Sequence, residues 1–340
     1  MSFDTRYSRR KFLGQTLKSV GGLVFISDFP LKSRQTYLER SFFTMGTVVT
    51  ISAYGESRQH VTHAIDKAAQ EIQRIDRLMS LYKADSQLVQ VNSEAGKRGV
   101  NVDKDVIKVV QEARRFHHLT RGSFDITVEP LMRLWGFRQE PPFLSIQPSD
   151  AEIRKTAEAV GFGHILIDEK HQTIGLDHPA SQIDLGGIAV GFSVDLAVKA
   201  LRSEGIESAI INHSGDAFAL GKPEDDSGWR VGIPNPVNPE ELVASFTLCD
   251  KAISTSGNYE KFVQLGSKRY GHIFDAPRGV PAEFSLSTTV ITTTAIAADA
   301  LSTGIFCTDI SLGNEIICGS DTAQAYIVSR EGKLTVLKRS

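Results

Sequence analysis

Apolar residues recur every three or four positions in several parts of the chain, which is the spacing of an amphipathic helix. The clearest run extends from Val61 to Leu78, and a second extends from Val106 to Phe116. Ser149-Asp150 supplies a helix cap, and this third helix is predicted to stop at Gly161. Two more helices are predicted, one from the paired glycines at 186–187 to about 205 and one over about 294–306.

Segments rich in threonine and valine, and segments bounded by turn residues, predict β-strands. We predict one strand over Phe42–Tyr54, a hairpin over 164–177 and a strand-rich region over 208–275. A closing hairpin is predicted to turn at Glu331-Gly332. Because strands and helices do not alternate regularly, the pattern favours an α+β fold over a doubly wound parallel sheet.

The composition is that of an ordinary globular protein, with 41% apolar, 8% aromatic and 23% charged residues in 340. These fractions exclude a disordered chain, a collagen-like repeat and a coiled coil. The formal charge of −2 gives no sign of a basic face, so we predict no nucleic-acid partner. The basic excess lies at the N-terminus, where residues 1–37 carry seven basic and two acidic side chains.

The N-terminus has the pattern of an export signal. Ser8-Arg9-Arg10-Lys11-Phe12-Leu13 fits the twin-arginine pattern, and a moderately apolar stretch follows from Leu17 to Ile26. That stretch is shorter than the roughly 20 apolar residues of a membrane span. We predict that residues 1–37 are a signal segment read by the twin-arginine export machinery and that residues 38–340 form one periplasmic domain. No small-x-small cleavage site precedes Gln35, so an uncleaved membrane anchor is the alternative.

The cysteines are Cys249, Cys307 and Cys318, an odd number without the spacing of a metal site. Because Cys307 and Cys318 lie in apolar runs, we predict buried free thiols, and a disulfide is the alternative.

Asp299 and Thr303 are four residues apart in the predicted late helix. Residues at this spacing share one helix face, with Cβ atoms about 5–6 Å apart. Carboxylate and hydroxyl oxygens are ligands that Mg²⁺ prefers, and Mg²⁺ often completes its coordination with substrate phosphates. The spacing equally allows a structural bond between the two side chains, so the pair alone does not decide.

Other polar motifs follow predicted strands. Asp184-Leu185-Gly186-Gly187 leads into a helix, where glycines let backbone N–H groups approach an anion or simply form a tight turn. Ser214-Gly215-Asp216 and Thr255-Ser256-Gly257-Asn258-Tyr259 are polar turns. His272, in Gly271-His272-Ile273-Phe274-Asp275, is a candidate general base near pH 7, although a lone strand histidine is also compatible with a structural role.

Taken in order, the motifs resemble those of the ApbE family, the FAD:protein FMN transferases. The resemblance extends over about residues 42–330. The segments that carry it are Phe43-Thr44-Met45-Gly46-Thr47, Gly122-Ser123-Phe124-Asp125-Ile126-Thr127-Val128-Glu129-Pro130-Leu131 with Trp135-Gly136, Asp184-Leu185-Gly186-Gly187-Ile188-Ala189 with Gly191 and Asp195, Ser254-Thr255-Ser256-Gly257, His272-Ile273-Phe274-Asp275, and Ala298-Asp299-Ala300-Leu301-Ser302-Thr303.

The resemblance implies a tunnelling-fold-like α+β architecture that binds FAD, with Mg²⁺ on the pyrophosphate. The implied reaction transfers FMN from FAD to a threonine of an acceptor flavoprotein as a phosphoester and releases AMP. The Gly187 carbonyl, Asp299 and Thr303 are implied as Mg²⁺ ligands and His272 as the base. The residues implied in binding the nucleotide or the flavin are Met45, Tyr82, Ser123, Phe124, Asp125, Asp184, Val190 and Ile273.

The sequence departs from the family near the expected phosphates. Val190 stands where the family motif G-G-I-A-K-G has lysine, Phe192 replaces a tyrosine, and His213-Ser214-Gly215 replaces a small residue followed by two glycines. Loss of a cation beside a pyrophosphate removes a charge-assisted contact. Two alternatives to a transferase therefore stay open. One is an exported flavin-carrying accessory protein, similar to family members that support nitrous oxide reductase, and the other is a protein that only binds nucleotide.

Overall fold

The computed structural model describes residues 17–20, 23–26, 35–223, 228–258, 261–320 and 322–339. In chain order the strands of these ranges are β1 (Leu17–Val20), β2 (Leu23–Ile26), β3 (Thr36–Thr44), β4 (Thr47–Gly55), β5 (Val100–Asn101), β6 (Ile165–Asp168), β7 (Thr173–Leu176), β8 (Ser208–His213), β9 (Asp216–Leu220), β10 (Trp229–Pro234), β11 (Leu242–Leu248), β12 (Lys251–Gly257), β13 (Phe262–Leu265), β14 (Lys268–Gly271), β15 (Phe274–Asp275), β16 (Val280–Pro281), β17 (Ser285–Thr292), β18 (Gln324–Ser329) and β19 (Leu334–Lys338).

The helices of the same ranges are α1 (Arg58–Met79), α2 (Gln87–Ser93), α3 (Lys104–Leu119), α4 (Glu129–Leu134), α5 (Asp150–Ala157), α6 (Ala189–Ser203), α7 (Ala295–Phe306) and α8 (Ile310–Cys318), with a 3₁₀ turn at Phe162–His164.

An eight-stranded antiparallel sheet, in the order β19-β18-β17-β12-β9-β8-β4-β3, lies at the centre of the fold. Helices α1, α6 and α7 pack on one face through side chains such as Ile65, Val194 and Ala298. On the other face, Trp229 and Val231 of the sheet β1-β2-β10-β11 pack against it. Helices covering one face of an antiparallel sheet confirm the α+β prediction.

The segment predicted as one strand over Phe42–Tyr54 is instead the hairpin β3–β4, so that prediction is wrong. The hairpin turns at Met45-Gly46, whose φ values of 49° and 75° are both left-handed. Such turns match the twist of the flanking strands. Because no Asn-Gly or Asp-Gly pair marks this turn, the sequence pattern runs through it without a break.

The periodic helices are confirmed, with somewhat different ends. α1 begins after Ser57, whose hydroxyl accepts the N–H of His60 at 3.2 Å. α5 has the predicted cap at Ser149, but it ends at Ala157 instead of Gly161. The predicted hairpins at 164–177 and at the C-terminus are also present. Helices α2, α4 and α8 were not predicted, because six to nine residues are too few to show a period clearly.

Strands β1 and β2 lie within the predicted signal segment. β2 pairs with β10, and Leu23 is fully buried. The Ser8–Leu13 motif lies outside the described residues, and the signal assignment stays a prediction. Among the described residues, none of the helices has the length and apolarity to span a bilayer.

All three cysteines are free, as predicted. Cys307 is buried, and burial raises the pKa of its thiol. The prediction of burial is wrong for Cys318, which is exposed, and for Cys249, which is partly exposed. Cys318 ends α8, a helix that buries Ile316 and Ile317 on its other face, so an apolar run here does not mean burial of every member.

Candidate functional site

Residues 187–191, at the start of α6, approach α7 very closely at the predicted metal site. A Cβ on Gly187 would lie 3.3 Å from Thr303 Oγ1, and one on Gly191 would lie 2.3 Å from the Ala295 carbonyl oxygen. The Gly191 N–H donates to Asp299 Oδ2 at 3.0 Å. The two glycines therefore bring the backbone of α6 against the face of α7 that carries Asp299 and Thr303.

The Asp299 carboxyl is buried in an acidic environment. Burial and the charge of Asp216 hold its pKa well above the ordinary value, and the charge of Asp195 acts in the same direction. The Gly191 N–H opposes this shift. A buried carboxylate repelled by two others is a position where a bound cation would be stabilised.

Asp195 has a structural task that explains its place in the motif. Its two carboxylate oxygens accept the N–H groups of Ala295 and Ile296 at 2.7 and 3.0 Å, so it caps α7 from α6. Thr294 at the N-cap position makes no such side-chain bond. Burial raises the Asp195 pKa to about 6, although both N–H groups oppose the shift.

A row of hydroxyls supports Thr303 from the sheet side. Ser254 and Ser256 on β12 lie 3.0 and 2.9 Å from Ser302 Oγ, and Ser256 Oγ is 3.2 Å from Thr303 Oγ1. Ser302 in turn donates to the Asp299 carbonyl oxygen at 3.0 Å. The Ser254–Gly257 motif thus fixes the helix turn that carries both predicted metal ligands.

Met45 is held by a buried aspartate that sequence reasoning did not single out. Asp76 Oδ2 accepts the Met45 N–H at 3.1 Å and the Thr44 hydroxyl at 2.8 Å, and Lys83 Nζ lies 3.0 Å away. Burial alone would raise the Asp76 pKa, but these three donors together hold it below its ordinary value. The carboxylate fixes the β3–β4 turn at the end of the sheet.

The loop that follows α3 contains Ser123, Phe124 and Asp125. Ser123 Oγ donates to the Thr120 carbonyl at 2.8 Å, and Asp125 Oδ1 accepts the Thr127 N–H at 2.7 Å. His117 Nδ1 lies 3.3 Å from Asp125 Oδ2, and this contact raises the His117 pKa despite burial. The polar side chains of the motif therefore hold the loop.

Phe124 connects that loop to the predicted metal site. Its ring is buried and lies 3.4 Å from the position that a Cβ on Gly187 would take. Ser123–Asp125 and the start of α6 are thus neighbours in space.

Asp184 belongs to a charged network that the sequence did not reveal. Its Oδ1 accepts the Gly186 N–H at 2.7 Å, and its Oδ2 pairs with Arg138 Nη2. Arg138 also donates through Nε and Nη2 to Glu129 Oε2, at 2.8 and 2.6 Å, and through Nη1 to the Tyr82 hydroxyl at 3.0 Å. Two predicted nucleotide-binding residues, Tyr82 and Asp184, therefore share one guanidinium.

His272 and Ile273 lie beside this network, between β14 and β15. His272 Nδ1 is 3.2 Å from the Lys261 carbonyl oxygen, which can only accept, so Nδ1 carries the proton and Nε2 is the free acceptor. Burial and the charge of Lys261 lower the His272 pKa to about 4, and the charges of Asp184 and Arg138 act on it in opposite directions. Ile273 is buried.

Val190, at the start of α6, is linked to a buried histidine. Ser193 Oγ donates to the Val190 carbonyl at 2.7 Å and lies 3.2 Å from His213 Nδ1. His213 is fully buried, its Nε2 makes no hydrogen bond among the described residues, and burial lowers its pKa to about 4. Two of the three departures from the family motifs, at Val190 and at His213, thus meet through Ser193.

The ApbE family sequence model matches residues 45–327. This chain belongs to the ApbE family. A FAD:protein FMN transferase of Escherichia coli K12 is 31% identical over 293 residues, which cover 85% of this chain and 83% of that protein.

Solved ApbE structures have the same fold. The Thermotoga maritima ApbE protein superposes with a TM-score of 0.79 at 29% identity, over 89% of this chain and 97% of that one. The flavin transferase ApbE of Vibrio cholerae superposes with a TM-score of 0.77 at 28% identity, over 90% and 98% of the two chains. The predicted ApbE-type architecture is confirmed.

The ApbE motifs converge on one end of the sheet, but several supporting residues were missed. Asp76 and Arg138 are far in sequence from the residues they hold, and no local pattern marks them or their partners Lys83 and Glu129. Glu129 stands inside the Gly122–Leu131 motif, but the sequence does not show that its carboxylate is buried and therefore needs a cation. In the part of the chain described, three or more His, Cys, Asp or Glu side chains nowhere come together as a metal-binding group.

Proposed function

We propose that this ApbE-family protein is a flavin transferase that moves FMN from FAD to a threonine of an acceptor protein. The FAD:protein FMN transferase of Escherichia coli named above supports the transfer itself, since it matches most of the chain. The observation that carries the proposal is the convergence of Gly187, Asp299 and Thr303 at the start of α6. Asp184 precedes this helix, and its charge acts on the pKa of His272.

The residues at the α6–α7 contact fit a magnesium ion. Their donors are a carboxylate, a hydroxyl and a backbone carbonyl, and the environment of Asp299 is anionic. Bound there, Mg²⁺ would neutralise charge on the FAD pyrophosphate. The set contains a single carboxylate, as is usual for a cation that shares its coordination with substrate phosphates.

The remaining chemistry is assigned to the chain itself. The acceptor threonine Oγ attacks the FMN-side phosphorus, the phosphoanhydride bond breaks, and AMP leaves with the bridging oxygen. His272 Nε2 accepts the threonine proton, because Nδ1 is bonded to the Lys261 carbonyl. Positioning by Asp184 and the start of α6 supplies the in-line geometry that phosphoryl transfer needs more than covalent help.

The purified protein, FAD, Mg²⁺ and a threonine-bearing acceptor should yield AMP and a flavin-labelled acceptor in equal amounts. An acceptor with that threonine replaced by alanine is the control and should stay unlabelled. FAD that stays intact in the complete mixture would contradict the proposal.

Val190 favours one second candidate, a flavin carrier without efficient transfer. The family lysine is absent at this position, and residues 189–192 of the first turn of α6 include no lysine or arginine. A carrier would retain bound FAD through prolonged incubation with Mg²⁺ and acceptor, and AMP would not appear.

We also propose export by the twin-arginine route, on the strength of Arg9-Arg10. Replacing both arginines with lysine should leave the protein in the cytoplasm, because the receptor reads the guanidinium pair and not charge alone. Cell fractionation measures this, and unchanged export of the lysine variant would point to another route.

A further inference from the structure

We propose that Arg138 is a positioning residue for FAD, which holds the Tyr82 ring and the Asp184 carboxylate in one fixed arrangement. The inference rests on the proposed function only in taking FAD as the ligand.

Glu129 anchors the Arg138 guanidinium from below. Glu129 is fully buried, and one of its oxygens accepts two N–H groups of Arg138, at 2.8 and 2.6 Å. Burial raises the Glu129 pKa, and the Arg138 charge counteracts that effect. Because a buried carboxylate without a cation is costly, this pair keeps the guanidinium in one orientation.

Arg138 in turn restrains a side chain that is otherwise exposed. Tyr82 is 73% exposed, its hydroxyl is bonded to Arg138 Nη1 at 3.0 Å, and its backbone N–H is bonded to Ser80 Oγ at 3.2 Å. The Arg138 guanidinium carbon also lies 5.9 Å from the centre of the Tyr82 ring. An exposed tyrosine is thus fixed at both ends.

The same guanidinium fixes Asp184 on its other side. Asp184 is bonded to the Gly186 N–H at the start of α6 and to Arg138, so neither oxygen turns freely. A dinucleotide can stack on an aromatic ring such as that of Tyr82. Its N–H and O–H groups can donate to a carboxylate such as that of Asp184. With both fixed beforehand, FAD binding does not have to order them, which lowers the entropic cost of binding.

A double-mutant cycle on the FAD dissociation constant tests the coupling. Tyr82→Phe keeps the ring and the Glu129–Arg138 pair but loses the hydroxyl contact, and should weaken FAD binding about 3- to 10-fold. Arg138→Met should weaken it at least as much. The double variant should bind FAD as weakly as Arg138→Met alone, since the tyrosine hydroxyl acts through Arg138.

Arg133→Met is the matched control. Arg133 lies 2.9 Å from the other oxygen of the same Glu129 but bonds neither Tyr82 nor Asp184. Arg133→Met removes one ion pair of Glu129, so it should lower the melting temperature. It should change FAD affinity less than twofold. Arg138→Lys keeps the charge beside Glu129 without the fork, so it serves if Arg138→Met fails to fold, and it should also weaken FAD binding.

In turnover, Tyr82→Phe should raise KM for FAD and leave kcat within about twofold, a split that a structural role would not produce. Additive effects in the cycle, or unchanged FAD affinity in Tyr82→Phe, would overturn the inference. Absence of AMP release by the wild-type protein would contradict the transferase proposal and leave the binding cycle readable, so the two failures are distinct.

Discussion

The two sides of the candidate site handle charge in opposite ways. Around Tyr82, Arg138 and Asp184, each acidic group has a guanidinium partner, and the Arg138 pKa is raised by Asp184 and Glu129 although burial opposes this. Around Asp299, the neighbouring charged groups that act on its pKa are two further aspartates. One side is neutralised by the chain itself, whereas on the other side burial and acidic neighbours raise the Asp299 pKa, so a bound cation would stabilise the carboxylate form.

This difference in charge neutralisation indicates which side of the site is suited to binding a cation. A self-neutralised network is rigid before anything binds, so it can present groups to a nucleotide at low entropic cost. A buried carboxyl with acidic neighbours is stabilised in its charged form by a cation, so such a position favours cation binding. The pre-ordered side is suited to selecting the nucleotide, and the Asp299 side to holding the metal of the proposed reaction.

Removing the buried Asp299 carboxyl should have the largest effect. Asp299→Ala should abolish Mg²⁺-dependent AMP release, a loss of about 10³-fold or more, because the metal loses its carboxylate. Its melting temperature should stay close to that of the wild type. Turnover is measured as the AMP formed in quenched time points. Asp66→Ala, a substitution on the surface, is the control. Full activity in a variant changed at both 299 and 303 would disprove the metal site.

On the neutralised side, His272→Ala should lower kcat by about 10²–10⁴-fold with little change in FAD affinity. Because the wild-type pKa is about 4, the group is already neutral above pH 5, and kcat should not depend on it between pH 6 and 8. Steady-state kinetics across pH measure both. If only FAD affinity falls, His272 is a positioning residue and not the base.

His213, which contacts Ser193 of α6, should make the stability of the protein depend on pH. Its folded pKa of about 4 lies below the unfolded value of about 6.5, so only the unfolded chain binds the proton in between. Stability is complete above pH 6.5 and should fall by about 3 kcal/mol as pH drops to 4. The charge of Asp76 raises the His213 pKa, but burial lowers it by more.

Urea unfolding at pH 7 and 4.5 measures this loss. His213→Asn, which does not titrate, should lose correspondingly less stability than the wild type. His171→Asn, at an exposed position, is the control and should keep the wild-type pH dependence. Equal losses in all three proteins would show that His213 is not the source.

Val190→Lys should have the smallest effect on kcat. It tests whether the proposed metal at Asp299 already supplies the positive charge that the family lysine would add. If Mg²⁺ at Asp299 already neutralises the phosphates, an added cation should change kcat by less than about tenfold. Val190→Met controls for side-chain length. AMP release that appears only in the lysine variant would instead show a carrier disabled at this position.

Local spacing in the sequence already determined much of this protein. The periods of α1 and α3, the cap at Ser149 and the shared face of Asp299 and Thr303 all arise within a few turns of chain. Such features depend on neighbours three or four residues apart, so a single sequence is enough to predict them. The ordered motifs also indicated the ApbE family.

Only the tertiary structure decided which residues complete the site. Arg138 joins Tyr82, 56 residues away, to Asp184, 46 residues away, and Asp76 reaches Met45 across 31 residues. These contacts depend on how helices and loops pack at the end of one sheet, and no repeat or spacing encodes them. The hairpin turn at Met45-Gly46 was missed for a related reason: its left-handed backbone is held by the Asp76 carboxylate and not by a turn sequence.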